Sequence, residues 1–300
     1  MLINKDNLGE LDYQFRTGYN EAFAAATSVV SQLATVIPIT GPSIRLTGLK
    51  AFSRMRKWLG PRHHKNIEAL GLTVSPEKYE DTVDVPREDI EDDTYGQLMP
   101  AIRGLGDGAA HLDNELIAGI LQGSSAQLGY DGLALAADTH AMGGTTFDNS
   151  VTTAIGIAAI KTAIDWFGSL TDEAGKEIPI TPTHLVTRDK GSAFWAARKL
   201  LKKEVVVEAA ALVDNETYQV LEHLTCPFIT SDTFWAVLCL NQPFKPILLV
   251  RRTSPELSSL TAINDNDQVF NLDVFSWGTR YRVTAAPGPW QLAYCSTGAG

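Results

Sequence analysis

The sequence is poor in the residues and motifs that mark the common enzyme and metal-binding classes. Its three cysteines, Cys226, Cys239 and Cys295, have no CxxC spacing, so they indicate neither a disulfide framework nor a zinc site built from thiolates. The nucleotide-binding patterns GxxxxGKS and GxxxxGKT, the metalloprotease pattern HExxH and the hydrolase pattern GxSxG do not occur. We therefore expect no cofactor and no metal, and we expect reduced thiols in a cytoplasmic setting.

Long apolar stretches are also missing. The most apolar early window, residues 22–38, is interrupted by five Ser, Thr and Gln side chains and is too short and polar to span a bilayer as a helix. The amino-terminal residues carry acids where a secretion signal requires a basic region and an apolar core. We expect neither secretion nor a membrane anchor.

The chain has fewer bases than acids, with a formal net charge of −10 and a pI near 5.1. A net acidic field repels phosphate backbones and anionic lipid, so general nucleic-acid or membrane binding is disfavoured, although a local basic face stays open. With 300 residues and 44% hydrophobic content, the chain is expected to fold into one large domain or two smaller ones.

What the chain does have is one strongly polarised segment. Residues 50–65 contain six Lys or Arg and no acid, whereas residues 88–93 contain five acids in six positions. Such a segment suits contact with another copy of the chain. Each exposed ion pair contributes only about 0–1 kcal/mol, so the charges would set register and partner choice more than strength.

Apolar periodicity predicts the secondary structure. Spacings of three and four predict a helix over residues 8–33, and alternation over residues 71–86 predicts a hairpin with a turn at residues 75–78. Residues 92–122 are expected to form a long, kinked or interrupted helix in two pieces, 98–105 and 112–121, divided by Gly104, Gly106 and Gly108 and ended by an αL glycine at Gly123. An α/β block follows, with helices over residues 151–168 and 191–203 and short strands at 205–207, 212–213, 228–230, 234–240 and 246–250, before a long strand or hairpin over 268–284.

Several candidate chemical sites are weak. Gly104, Gly106 and Ala109 fit GxGxxA, but the residues before them are helical, so a glycine-rich helix break is the better interpretation. The adjacent His63 and His64 point in different directions, which favours a basic patch over a metal site. The acidic cluster at residues 88–93 lacks the spacing of a calcium loop and is interpreted as a solvated or ion-paired face.

One pair of residues keeps an enzyme hypothesis open. Asp138 and His140 could share one face of a strand, but no third ligand or nucleophile is near them in the sequence. A soluble α/β enzyme acting through this pair is therefore a remote alternative.

Blocks of residues spread over nearly the whole chain resemble the gpT family, the major head subunits of Mu-like tailed phages. The amino-terminal half carries Trp58, Gly60, Arg62, Tyr79, Glu80, Thr82, Arg87, Ile90, Glu91, Asp92, Asp93, Gly96, Tyr130, Asp131, Gly132 and His140. The carboxy-terminal half carries Pro182, Leu185, Val186, the segment KPILLVRRTSPELSSL, Val269, Phe270, Gly278, Arg280 and the segment PWQLAYCSTG.

The resemblance implies an α+β, Hong Kong 97-like phage major capsid fold with an N-terminal arm, an E-loop ribbon, a P-domain with a spine helix, and an A-domain. The implied ranges are 1–48 for the arm, 49–91 for the E-loop region, 92–150 for the P-domain with its spine helix, 151–261 for the A-domain and 262–300 for the C-terminal strands of the P-domain. We expect affinity between copies to come from apolar burial by the arm and the E-loop.

The implied function is that of a major capsid protein, not an enzyme, which self-assembles into pentamers and hexamers of an icosahedral head that encloses double-stranded DNA. Expected partners are further copies of the chain and scaffold, portal and decoration proteins, with DNA enclosed without sequence-specific binding and no membrane. The expected location is the virion, after assembly in the bacterial host cytoplasm. A cargo-enclosing nanocompartment shell of the same fold is the alternative.

The polarised segment and the implied E-loop together predict which residues contact neighbouring subunits. These predicted inter-subunit contacts are Trp58, Arg62, Lys65, Tyr79, Arg87, Glu91, Asp92 and Asp93.

Overall fold

The computed structural model of the chain describes residues 5–46, 71–92, 95–123, 126–142, 144–172, 175–208, 211–261 and 267–299. The helices are α1 (Lys5–Ala25), α2 (Val30–Leu33), α3 (Arg87–Glu91), α4 (Tyr95–Leu121), α5 (Ile157–Ser169), α6 (Ser192–Lys202) and α7 (Asp267–Leu272). The strands are β1 (Ala34–Pro38), β2 (Ile44–Leu46), β3 (Leu72–Val74), β4 (Glu77–Pro86), β5 (His140–Met142), β6 (Thr145–Phe147), β7 (Ser150–Val151), β8 (His184–Thr187), β9 (Val205–Glu208), β10 (Ala211–Asp214), β11 (Glu222–Thr225), β12 (Trp235–Leu238), β13 (Ile247–Leu260), β14 (Val274–Pro287) and β15 (Ala293–Ser296). No helix within these ranges combines the length and the apolar character needed to cross a bilayer.

Two larger sheets form the framework, which confirms the expected α+β class. The four-stranded sheet has the order β1–β13–β14–β4, and the five-stranded sheet has the order β11–β8–β12–β15–β7. The 14-residue strands β13 and β14 are antiparallel neighbours, β1 is added parallel to β13, and β4 is added antiparallel to β14. Two strand pairings cross the boundary between the expected A-domain range and the expected C-terminal P-domain range. Strand β13 of the former pairs with β14 of the latter, and β12 of the former pairs with β15 of the latter.

The long helix α4 is continuous, so the expected division at Gly104, Gly106 and Gly108 is wrong. A glycine in a helix interior costs about 1 kcal/mol relative to alanine. Each fully buried Leu or Ile contributes about 1.5–3 kcal/mol, so the apolar stripe of α4 outweighs that cost. The fully buried members of the stripe include Ile102, Leu105, Ile117, Ile120 and Leu121. The helix ends where predicted, because Gly123 adopts a left-handed φ of 69°.

One of these glycines marks a close helix crossing. A Cβ atom on Gly106 would lie 2.5 Å from the backbone oxygen of Tyr19, and a Cβ atom on Gly18 would lie 2.5 Å from Met99 Sδ. The Gly106 position lies against backbone and leaves no room for a Cβ atom, whereas Gly18 lies against the Met99 side chain, so α1 and α4 approach each other closely at both glycines. The apolar stripe of α1, including Phe15 and Tyr19, is buried in this crossing and beside Trp277.

The amino-terminal helix is shorter than the predicted residues 8–33, because α1 ends at Ala25. The side chain of Asn114 on α4 binds the backbone of the break: its Nδ2 donates to Thr27 O at 2.9 Å and its Oδ1 accepts from Val29 N at 3.0 Å. Backbone groups released from the helix are thus satisfied by a partner that is distant in sequence.

The predicted hairpin over residues 71–86 is wrong, because its two strands belong to different sheets. Strand β3 pairs with β2 over three residues, whereas β4 pairs with β14 over ten. Alternation reports which face of a strand is buried but not which strand is its partner. Two other local predictions also differ: residues 228–230 form no strand, and the predicted strand at 268–284 begins with the helix α7 before β14. The predicted helices at 151–168 and 191–203 correspond to α5 and α6, and β9 and β10 occupy the predicted extended pair.

Candidate subunit interface

The acidic residues 88–93 of the polarised segment, which we call the acidic strip, follow β4, and the structure describes them as far as Asp92. Strand β4 leads into α3, whose Ile90 is fully buried, while Glu88, Glu91 and Asp92 are exposed. The acids at the start of α3 also suit the positive amino end of a helix. The buried side chain of Ile90 therefore anchors a short helix whose carboxylates face solvent.

Arg87 is paired within its own chain. Its Nε donates to Glu91 Oε1 at 2.9 Å, and its Nη1 lies 3.8 Å from Asp273 Oδ1. The structure thus brings together two of the predicted contact residues, Arg87 and Glu91, and places Asp92 directly after them at the end of α3. The pairing leaves the strip with a net negative charge.

Tyr79 lies near the beginning of β4, away from the acidic strip. It stands opposite Tyr281 in the β4–β14 pairing, and its hydroxyl donates to Glu77 Oε2 at 3.2 Å. Burial raises the pKa of Tyr79, and the neighbouring Glu77 carboxylate raises it further. Together with Glu115 and Leu116 of α4, Tyr79 lines a shallow depression beside the sheet.

The other four predicted contact residues, Trp58, Arg62, Lys65 and Asp93, lie outside the described residues. The basic half of the polarised segment is outside them as well. The contacts predicted for it therefore stay a prediction.

A buried ionic cluster fastens α4 to the four-stranded sheet. Arg251 on β13 donates from Nη2 to Asp113 Oδ2 at 2.6 Å and from Nε to the Tyr281 hydroxyl at 2.8 Å. The Tyr281 hydroxyl in turn donates to Asp113 Oδ1 at 2.6 Å. Removing one member of such a cluster leaves an unpaired charge in the interior, which is costly.

Burial controls the protonation of this cluster. It raises the pKa of Asp113, although the Tyr281 hydrogen bond and the Arg251 charge oppose that effect. Burial and the Asp113 charge both raise the pKa of Tyr281. Sequence reasoning missed the cluster, but a signal was present: Asp113 lies between apolar residues of the predicted helix stripe, where an acid requires a buried partner.

The proposed catalytic pair of Asp138 and His140 does not form. Asp138 is exposed, whereas His140 is fully buried with its Nδ1 2.6 Å from Asp131 Oδ2 and its ring stacked on Trp290 at 4.5 Å. Asp138 precedes β5 and is exposed, whereas His140 is the first residue of β5 and is buried. The buried His140 is instead part of the packing between the β5 turn and the C-terminal segment.

Comparison with known proteins shows the family. A family model described as "Mu-like prophage major head subunit gpT" matches residues 8–156 and 230–299. The chain belongs to this family. The major capsid protein of Escherichia phage Mu is 25% identical over 298 residues, which cover 99% of this chain and 76% of that protein. The Mu-like prophage FluMu major head subunit of Haemophilus influenzae is 23% identical over 296 residues, covering 99% of this chain and 75% of that protein.

Solved structures agree with the expected fold. The procapsid of bacteriophage JBD30 has a TM-score of 0.60 and 26% identity, covering 98% of this chain and 76% of that one. A virus-like particle from Pyrococcus furiosus has a TM-score of 0.55 at 14% identity, covering 95% and 98% of the two chains. The Hong Kong 97-like fold is thereby confirmed, and this gpT-family chain is a major capsid protein of a Mu-like phage.

Proposed function

We propose that copies of this capsid protein assemble into pentamers and hexamers that close into an icosahedral head around double-stranded DNA. The observation that carries the proposal is the family match, which extends over both ends of the chain. Rings of five and six require heterologous contacts, in which one surface patch binds a different patch on the next copy. A subunit with oppositely charged surfaces meets that requirement.

The described contacts suit a subunit that resists deformation. The Asp113, Arg251 and Tyr281 cluster joins α4 to both long strands of the four-stranded sheet, and the Gly18 and Gly106 crossing joins it to α1. Within this proposal α4 is the spine helix, and the peripheral body includes β13 as well as β4 and β14. The remaining ranges given above for the arm, the E-loop, the P-domain and the A-domain stay part of the proposal.

The contacts between subunits are proposed to combine charge with apolar burial. Trp58, Arg62 and Lys65 of one copy would face the acidic strip of a neighbour, which ends at Asp92 and Asp93. Because Arg87 and Glu91 already pair with each other, the exposed Glu88 and Asp92 are the better candidates for direct contact. The apolar stripe of α1 is buried within its own chain, so apolar contact with neighbours would come from other residues.

The proposal includes partners and a location. Scaffold, portal and decoration proteins would meet the shell, and the head would assemble in the bacterial host cytoplasm before it becomes part of the virion. A net charge of −10 would limit adhesion of packaged DNA to the protein wall. We propose no catalytic activity for the chain.

A cargo-enclosing nanocompartment is the second candidate. The virus-like particle from Pyrococcus furiosus shares the fold, and the match covers 98% of its chain. The contents of purified particles distinguish the two candidates. A head subunit gives particles that contain DNA or are empty, whereas a nanocompartment retains a protein cargo.

Native mass spectrometry of the purified chain tests the proposed rings. We expect pentamers, hexamers or larger assemblies built from them, with monomers as the minor species above micromolar concentrations. A chain that stays monomeric at every concentration and salt content would exclude the proposal.

A further inference from the structure

Helix α6 carries an exposed stripe that combines an aromatic side chain with three bases. Ala193, Ala197, Leu200 and Leu201 form its buried face. On the opposite face, Trp195 is 63% exposed, and Arg198, Lys199 and Lys202 follow it at helical spacings of three, four and seven. We call these four residues the basic stripe.

The basic stripe has no neutralising partner within its own chain, as far as the described residues extend. Helix α6 contains no acid, and none of the ion pairs formed by described residues involves Arg198, Lys199 or Lys202. The charge of the stripe also affects the neighbouring His223 on β11. Burial lowers the pKa of His223, and the positive charges of Lys202 and Arg198 lower it further. Three uncompensated bases are unusual in a chain with a net charge of −10.

Exposed apolar side chains extend the stripe at the end of α6. Gln219 N donates to Leu201 O at 3.1 Å, which holds the following turn against the helix. In that turn Tyr218 is 36% and Val220 is 48% exposed. Large apolar side chains grouped on a surface indicate a protein contact, and a Trp among bases is the typical composition of a contact anchor.

The opposite edge of the same sheet carries unpaired acids. Helix α6 packs on β8 and on the edge strand β11, whereas β7 is the other edge of the five-stranded sheet. Beside β7, Asn149 is fully buried: its Oδ1 accepts from Ala137 N at 2.8 Å, and its backbone N donates to Ala137 O at 3.2 Å.

Asp138 follows Ala137 and Asp148 precedes Asn149, so both acids flank this contact. Both are exposed, and neither forms an ion pair with any residue that the structure describes. Among the described residues, the hydrogen bond that Asp148 Oδ1 accepts comes from the backbone N of Ser150. A cation from another molecule would stabilise exposed carboxylates that have no cation beside them. We call Asp138 and Asp148 the acidic pair.

We propose that the basic stripe of one subunit binds the acidic pair of the next copy, so that the five-stranded sheets of a capsomer are joined edge to edge around its axis. The occupant of the stripe is thus a second copy of this chain. The charges are complementary and lie on opposite edges of one sheet, which is the arrangement that a head-to-tail ring requires. Trp195 is the apolar anchor, and the bases fix the register.

This inference rests on the proposed function. A cross-linking experiment can nevertheless disprove the contact while leaving the proposed shell intact. The variant Arg198→Cys with Asp148→Cys is assembled and treated with a short bifunctional maleimide. The native cysteines Cys226, Cys239 and Cys295 are buried, so the introduced thiols are the reactive ones. We expect a ladder on denaturing gels that reaches five and six subunits, whereas either single variant stays monomeric.

Two results would overturn the inference in different ways. Particles visible by electron microscopy whose double variant stays monomeric on the gel exclude this contact and leave the proposed shell intact. Absence of any assembly from the unmodified chain excludes both.

Charge reversal provides an independent test. Arg198→Glu with Lys202→Glu, or Asp138→Lys with Asp148→Lys, should each lower the assembled fraction at least about tenfold at low salt. Combining all four changes should restore it to within about threefold of the unmodified protein. The control Glu10→Lys with Asp107→Lys reverses two exposed acids elsewhere and should change the fraction less than about twofold.

Nucleic acid is the competing occupant, because aromatic and basic side chains also bind single strands. Binding of a fluorescent oligonucleotide to the Arg198→Glu, Lys202→Glu variant decides between them. The inference expects a loss of assembly with oligonucleotide affinity unchanged within about twofold. Loss of oligonucleotide binding with assembly intact would overturn it.

Discussion

The guanidinium of Arg251 lies 2.6 Å from the carboxylate of Asp113, and this contact connects the long helix of the subunit to the middle of its four-stranded sheet. The two residues are 138 positions apart in the chain. Tyr281 completes the cluster from the neighbouring strand. These three side chains therefore link α4 to the sheet by hydrogen bonds.

Replacing Asp113 with Asn should destabilise the subunit by about 2–4 kcal/mol. The Arg251 charge would lose its partner, and its 27% side-chain exposure keeps the expected cost below that of full burial. Denaturant unfolding of the unassembled subunit measures the change. Asp107→Asn, at an exposed position of the same helix, is the control and should stay within about 0.5 kcal/mol. Equal stabilities of the two variants would contradict the role of the cluster.

Replacing Gly106 with Ala should destabilise the subunit by about 1–3 kcal/mol, because the added Cβ would lie 2.5 Å from Tyr19 O. The matched control is Gly104→Ala, where a Cβ meets nothing within 4 Å. That control should stabilise the helix by about 0.5–1 kcal/mol through propensity alone. Thermal unfolding of both variants tests the prediction, and a stabilised Gly106→Ala would show that the crossing is looser than described.

The stability of the subunit should fall as the pH rises above about 10, the ordinary pKa of tyrosine. Burial raises the pKa of both Tyr281 and Tyr19 in the folded chain, so the folded state keeps protons that the unfolded state releases. The contribution of these groups is complete below the unfolded pKa and is lost as the pH rises towards the folded one. Denaturation midpoints between pH 8 and pH 11 check this, and Tyr281→Phe should reduce the slope. An unchanged slope in that variant would assign the alkaline loss to other groups.

Reversing Arg62 to Glu or Asp92 to Lys should each impair assembly, and the double reversal should partly restore it. The basis is the charge asymmetry of the polarised segment, in which Arg62 belongs to the basic residues 50–65 and Asp92 to the acidic residues 88–93. Particle yield by electron microscopy is the measurement. Full yields from both single variants would count against this pairing.

Periodicity in the sequence was sufficient for elements that bury one face locally. The helix α6, the β9–β10 pair and the αL turn at Gly123 are confirmed at or near their predicted residues. The expected hairpin failed because β4 finds its partner in β14, almost 200 residues later, and alternation contains no information on partners. The break after α1 depends on Asn114, which lies 85 and 87 positions from the two residues that it binds.

The candidate interface was predictable only in part. Composition located the acidic strip, but it could not show that Arg87 and Glu91 neutralise each other, because that contact depends on the helical turn of α3. The acidic pair could not be predicted either, because Asp138 and Asp148 are ten positions apart and the contact that both flank, between Ala137 and the buried Asn149, exists only in the folded chain. The family, in contrast, was recognisable from residue blocks alone, and the family model confirms it.

The central claim is that copies of this chain complete one another in a closed shell. Electron microscopy of the purified full-length chain under assembly conditions tests it most directly. The account predicts hollow, closed particles of uniform diameter whose averages show fivefold vertices and sixfold rings. A monodisperse single subunit, or open filaments without vertices, would contradict it.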